Sequence, residues 1–185
     1  MPISPEEASQ TLEEIDRTGD YSRELHIYKE SSPHFLIWGL VWAFGYAVTD
    51  FAPEYRNLAW GAGIAVGALS SIFLASRQTQ GGSRARAGFS WRYAAISGGF
   101  AAFFGVMSFV LKLDPRQVDA FIPLVFAGAY LFAGLWAGLR FSLCGVVLAV
   151  AVLVGYFNAG THFGLWMAVA GGGVLVLTGL WLRRV

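Results

Sequence analysis

Apolar and polar positions divide this chain sharply near residue 33. From Phe35 to Thr49 no side chain is charged, and with its interfacial ends the stretch is long enough to cross ~30 Å of hydrocarbon at ~1.5 Å per residue. Ser32 suits an N-cap and Pro33 a first helical position, where its missing N–H is not needed. Five further apolar runs follow, at about Leu58–Ser76, Tyr93–Leu111, Val118–Leu139, Phe141–Phe157 and Thr161–Leu182. Asp114 and Pro115 form a second cap-plus-proline start, Arg140 marks a tight turn, and Asn158-Ala159-Gly160 marks another. The pattern predicts an all-α polytopic membrane protein. A six-helix transmembrane bundle (33–185) is preceded by a cytoplasmic amphipathic segment (1–32).

The leading segment reads differently. Ser4-Pro5-Glu6-Glu7 is a helix start, and Ala8, Leu12 and Ile15 recur at helical spacing. Thr18-Gly19-Asp20 is expected to interrupt, after which Tyr21, Leu25 and Tyr28 resume the stripe. Two short amphipathic helices, or one bent helix, are predicted. Between Ser4 and Glu30 eight acids stand against three bases. That polarity is wrong for a helix resting on an anionic leaflet, where a basic face is needed.

Composition agrees with the pattern. Of 185 residues, 56% are hydrophobic and 14% charged, and the mean hydropathy is +0.54, which excludes an ordinary soluble domain. A net charge of +1 offers nothing to nucleic acid. The lone Cys144 excludes an internal disulfide. The acidic N-terminus lacks the basic-then-apolar order of a cleavable signal peptide.

Charge placement orients the bundle. With both termini inside, Arg17, Arg23, Lys29, Arg77, Arg84, Arg86, Arg92, Arg140, Arg183 and Arg184 are inner, and Arg56, Lys112 and Arg116 are outer. Ten inner cations against three satisfy the positive-inside rule at every loop. Trp38, Trp91, Trp136 and Trp181 then lie near the inner face, with Tyr55, Trp60 and Tyr156 near the outer.

Chemistry is sparse. The spans carry no mid-membrane ionisable group, which argues against carboxylate-coupled transport. Asp50, Glu54, Asp114 and Asp119 read as caps and solvated loop charges. His34 and His162 fall a membrane thickness apart, so they cannot share a metal or haem, and no cofactor or metal is expected. The glycine run from Gly61 to Gly67 lacks a preceding strand and is no phosphate loop. Its spacing fits helix packing instead: Gly63 with Gly67 in the second span, Gly98 in the third, and Gly164, Ala168 and Gly172 in the sixth. Ser70, Ser97, Ser108 and Asn158 are the polar residues that could border a narrow path.

The sequence from Ser31 to Tyr46, behind the acidic Leu12-Glu13-Glu14-Ile15 helix, is similar to an uncharacterised group of small bacterial inner-membrane proteins with the same order of helix and spans. The resemblance extends to about Asp50 and implies a multi-pass protein of a bacterial inner membrane. It brings no catalytic residue. The functional expectation is a non-enzymatic membrane scaffold or regulator. Its N-terminal face (Leu12, Ile15, Leu25, Tyr28) docks on a cytoplasmic partner, a second copy, or its own basic loop at Arg84, Arg86 and Arg92. The alternative is a passive channel or facilitator for a small neutral solute.

Overall fold

The computed structural model describes residues 5–79, 99, 102–107 and 109–184, all of its elements helical. Helix α1 runs Pro5–Phe51, and a 3-10 turn at Pro53–Tyr55 leads into α2 at Arg56–Thr79. A short apolar helix α3 (Ala102–Leu111) precedes α4 (Pro115–Ala137) and α5 (Leu139–Asn158). A 3-10 turn at Gly160–His162 opens α6 (Phe163–Arg183). Four segments are long and apolar enough to cross a bilayer: Pro53–Leu74, Pro115–Ala137, Leu139–Asn158 and Gly160–Arg183. The chain is therefore a multi-pass membrane protein. The apolar half of α1 falls outside those four, because His34, Trp38, Trp42, Tyr46 and Asp50 dilute its hydropathy.

Helix α1 departs from the sequence reading at two points. It continues through Thr18-Gly19-Asp20, where the Thr18 hydroxyl folds back to donate to the Glu14 carbonyl at 2.8 Å. It also continues through Pro33, so Ser32 caps nothing. The Ser32 hydroxyl instead donates across to the Gly179 carbonyl on α6 at 2.7 Å, in a buried setting. A proline inside a helix forfeits one backbone bond. Tertiary contact with α6 on either side of Pro33 holds the helix together in its place.

The contact between α1 and α6 forms the centre of the bundle. The helices run antiparallel, with Ser32 bound to Gly179 at one end and Asp50 bound to Leu165 at the other. Their backbones nearly touch. A Cβ on Gly39 would sit 2.7 Å from Val176, and one on Gly172 would sit 2.9 Å from the Ala43 Cβ and 3.0 Å from the Gly39 carbonyl oxygen. Gly179 is closed off in the same way by Leu36 and the Ser32 carbonyl. Small residues at these positions allow close packing where water supplies no hydrophobic drive between helices.

Aromatic rings tie the other helices to this pair. Tyr28 and Phe35 of α1 pack on Phe141 of α5, Phe35 on Tyr130 of α4, Trp42 on Phe126 of α4, and Tyr46 on Trp60 of α2, with centroids 4.9–5.9 Å apart. Helix α2 meets α1 along one narrow stripe. There Gly63 lies beneath Val41 and buried Gly67 beneath the Trp38 ring, while Leu58, Ile64, Val66, Leu69 and Ile72 point outward. Gly98 lies outside the described residues.

The α4–α5 turn falls at Gly138, two residues before the expected Arg140. Gly138 has φ +105°, a backbone conformation that an L side chain resists. Asp114 caps α4 as its sequence indicates, accepting from the Gln117 N–H at 2.8 Å while the Gln117 side chain returns a bond to the Asp114 N–H.

The α1–α6 seam carries a direct prediction. Replacing Gly172 by Leu drives a branched side chain into the α1 backbone at Gly39 and Ala43, and overpacking of this kind costs about 1–3 kcal/mol or more. Gly61→Leu is the control, because a Cβ there meets nothing within 4 Å. Thermal unfolding in one detergent should show a lowered midpoint for Gly172→Leu and an unchanged one for Gly61→Leu.

Candidate functional site

Two polar assemblies mark the two ends of the bundle. The first gathers the C-terminal end of α1 and the N-terminal ends of α2, α4 and α6. Asp50 accepts from the Leu165 N–H at 2.7 Å, so it caps α6 from a neighbouring helix; α6 has no side-chain cap of its own. A carboxylate is favoured there by the unpaired N–H groups and the helix dipole. Gly164 makes room for it, since a Cβ at that position would lie 2.5 Å from Asp50 Oδ1.

Asp119 is the correction at this end. Expected as a solvated loop charge, it is buried in the second turn of α4 and paired with Arg56 Nη2 at 2.6 Å. The Tyr46 hydroxyl donates to the Asp119 carbonyl at 2.7 Å, and Trp60 Nε1 donates to Thr49 at 3.2 Å. Arg116 donates to the Tyr156 carbonyl at 2.6 Å, tying α4 to the end of α5. Asp50, Arg56, Arg116 and Asp119 each have a protein partner, so the assembly joins helices.

The second assembly lies where α1 leaves the bundle. Tyr28 is buried between α1, the Gly138 turn and α5. Its hydroxyl donates to the Glu24 carboxylate and accepts from the Arg140 N–H at 3.5 Å. The Arg140 guanidinium packs on the rings of Tyr28 (5.1 Å) and Trp181 (4.7 Å), and its Nη1 donates to the Trp181 carbonyl at 2.9 Å. Burial first, then the bond to Glu24, pushes the Tyr28 hydroxyl up to about 12, so it remains a neutral donor. A side chain on Gly138 would collide with the Tyr28 hydroxyl and Glu24. The strained turn and the docked tyrosine therefore require each other.

Of the expected docking face, the structure describes Leu25 and Tyr28, and the backbone alone of Leu12 and Ile15. Tyr28 is buried and Leu25 half-buried against the core. Beyond Glu24 the helix continues for about 30 Å at ~1.5 Å per residue, and Glu14, Thr18, Tyr21 and Arg23 are exposed. Because α1 is unbroken, its register is set by 3.6 residues per turn. Ile15 then falls about 140° around the axis from Tyr28, and Leu12 about 160°. Ala8, Leu12 and Ile15 share the side of the helix that carries exposed Leu40 and Phe44 farther along. The two faces could merge only with the break at Thr18-Gly19-Asp20, which does not occur. Arg84, Arg86 and Arg92 lie outside the described residues, as do the side chains of Leu12 and Ile15.

The remaining polar candidates are dispersed. His34 Nδ1 meets the Ser71 hydroxyl at 3.2 Å between α1 and α2, and His26 pairs with Glu30 along α1 at 3.0 Å. His162 lies at the Asp50 end, beside the start of α6. Asn158 also lies at that end, bound to the Val154 carbonyl of its own helix. Ser97 and Ser108 lie outside the described residues. Arg140 and Gly138 are the members that sequence reasoning missed as a docking site, although a lone arginine beside a glycine between two apolar runs was the available signal.

The Arg56–Asp119 pair gives a testable consequence. Removing one partner strands a charge in a poorly hydrated setting, which costs about 3 kcal/mol for a buried pair, whereas replacing both removes the penalty. Arg56→Met or Asp119→Leu alone should lower the unfolding midpoint in detergent, and the double substitution should restore most of it.

Comparison with family models, with curated proteins and with solved structures gives no match to this chain.

Proposed function

We propose that this chain is a non-enzymatic scaffold or regulatory protein of a bacterial inner membrane. Its long first helix presents a binding face to a cytoplasmic partner. The observation that carries the reading is the unbroken course of α1 beyond the bundle. Leu25 and Tyr28 are occupied by the molecule's own turn at Gly138 and Arg140, while the register of Ala8, Leu12 and Ile15 turns away from it. Lipid is a poor cover for that stripe, because the segment is acidic and extends away from the bundle end. A partner outside the protomer's own bundle is therefore the better occupant. The apolar stripe supplies most of the affinity and the acids its orientation, since an exposed ion pair contributes only ~0–1 kcal/mol.

Six crossings with both termini cytoplasmic fit this reading. Helix α2 begins beside the start of α4, as the Arg56–Asp119 pair requires, and the apolar run Tyr93–Leu111 is read from the sequence as the crossing that joins them. The apolar half of α1 lies alongside α6 over the same span and counts as a further crossing. Arg77, Arg140, Arg183 and Arg184 gather at the Tyr28 end, which supports reading that end as the inner one under the positive-inside rule.

Two measurements test the proposal. A cysteine at Pro53 should be labelled from the periplasmic side and one at Ser83 protected there; the reverse pattern inverts the topology. In inside-out vesicles with their full protein complement, residues 1–30 should resist protease. The purified protein and a Leu12→Ser/Ile15→Ser variant in vesicles should both be cleaved rapidly. Equally rapid cleavage of all three means the face is free, and the scaffold reading fails.

A further inference from the structure

An open groove of about 450 Å³ lies between α5 and α6. Val147, Val150 and Val154 form one wall and Val169, Gly173 and Leu177 the other, with no charged residue along it. Gly173 is its floor, where an added Cβ would meet nothing within 4 Å. Trp166 stands at the far end, held by its Nε1 bond to the Ala151 carbonyl at 2.8 Å.

The other end of the groove is chemically different. Arg140 lies about two turns before Val147 on the same side of α5, and Trp181 lies about one turn beyond Leu177 on α6. The two are joined there, with the Arg140 guanidinium against the Trp181 ring at 4.7 Å and one of its donors on the Trp181 carbonyl. Arg184 follows Leu177 by about two turns, on the same side and exposed. The apolar channel therefore leads toward the Arg140 guanidinium and the Trp181 indole, with exposed Arg184 in the turn beyond, the residue types that favour a bilayer interface.

We propose that this groove is a binding site for one anionic phospholipid. An acyl chain lies along Val147, Gly173 and Leu177, and the phosphate is held by Arg140 and Arg184. Charge complementarity selects the occupant. A membrane-spanning helix of a second copy could fill the apolar part, but α2, α5 and α6 each bring a cation (Arg77, Arg140, Arg183) to that end, not an anion. Guanidinium matches phosphate in geometry, and a net negative headgroup gains over a zwitterionic one through the second arginine. Arg140 also touches Tyr28, so the lipid sits directly against the junction that holds α1 to the bundle. This site stands independently of the scaffold reading, because it needs only the membrane-spanning helices.

Native mass spectrometry of the full-length protein in mild detergent tests it, with phosphatidylglycerol and phosphatidylcholine added at equal concentration. The wild type should retain one phosphatidylglycerol, favoured by about tenfold over phosphatidylcholine. Gly173→Leu fills the groove where the structure has open space, so it should fold with an unchanged melting midpoint and lose the retained lipid. Arg184→Gln should keep the lipid but lose most of the headgroup preference, without touching the Tyr28 junction. Retention by Gly173→Leu equal to wild type would overturn the acyl site. Equal wild-type retention of the two lipids would overturn the headgroup site. A lipid-free dimer dispersed by Gly173→Leu would assign the groove to a second copy and overturn the proposal.

Discussion

The close approach of two backbones, α1 and α6, is the constraint on which the rest of this bundle depends. In a bilayer neither helix gains by leaving lipid for protein, so association rests on van der Waals contact and on hydrogen bonds freed from competing water. Gly39, Gly172 and Gly179 remove the side chains that would hold the helices apart, and Ser32 and Asp50 fasten the two ends. The polar bonds also fix the register: a slide of one turn would separate Ser32 from Gly179 and Asp50 from the first turn of α6 together. Helix α1 tolerates Pro33 because this seam brackets it.

With that pair in place, the other helices are positioned by bulk. The space left by the glycines on one side of α1 is matched by Phe35, Trp42 and Tyr46 on the next, and these rings reach α2, α4 and α5. Alternation of the very small and the very large around one helix explains why a chain with 23 glycines and 16% aromatics makes a defined bundle. It also explains why α2 is peripheral. Among the described residues, helix α2 is met by the Trp38 and Val41 side of α1 and, at its start, by Asp119 of α4.

Much of this was legible in the residues. Apolar run lengths predicted the four spans that stand out by hydropathy, Asp114-Pro115 predicted the start of α4, and the small-residue spacing of Gly164, Ala168 and Gly172 lies on the face that packs against α1. What local patterns could not supply was tertiary override. Ser32-Pro33 has every mark of a helix start and Thr18-Gly19-Asp20 of a stop, yet both lie inside one helix. Asp119 looked like a loop charge because its partner, Arg56, is distant in sequence and adjacent only after folding. The turn at Gly138 was displaced to Arg140 because charge is the more visible signal, although positive φ is the stronger demand.

Continuity of α1 has a consequence that composition alone conceals. A helix with an apolar stripe that shifts side partway along could be two helices, each docked where it lies. As one rigid rod, it must present its second stripe in a direction dictated by the first. Tyr28, clamped by Glu24, Gly138 and Arg140, thereby fixes the register of the helix whose backbone continues through positions 12 and 15. Any rotation of α1 at the junction would swing that distal face through a wide arc, because the lever beyond Glu24 is about 30 Å long. The clamp shares Arg140 with the end of the groove between α5 and α6, so the proposed occupant of that groove and the proposed partner of the N-terminal face would act on one set of contacts. Linkage between two sites needs a common element whose arrangement each can bias, and the Tyr28–Arg140–Trp181 contact is such an element.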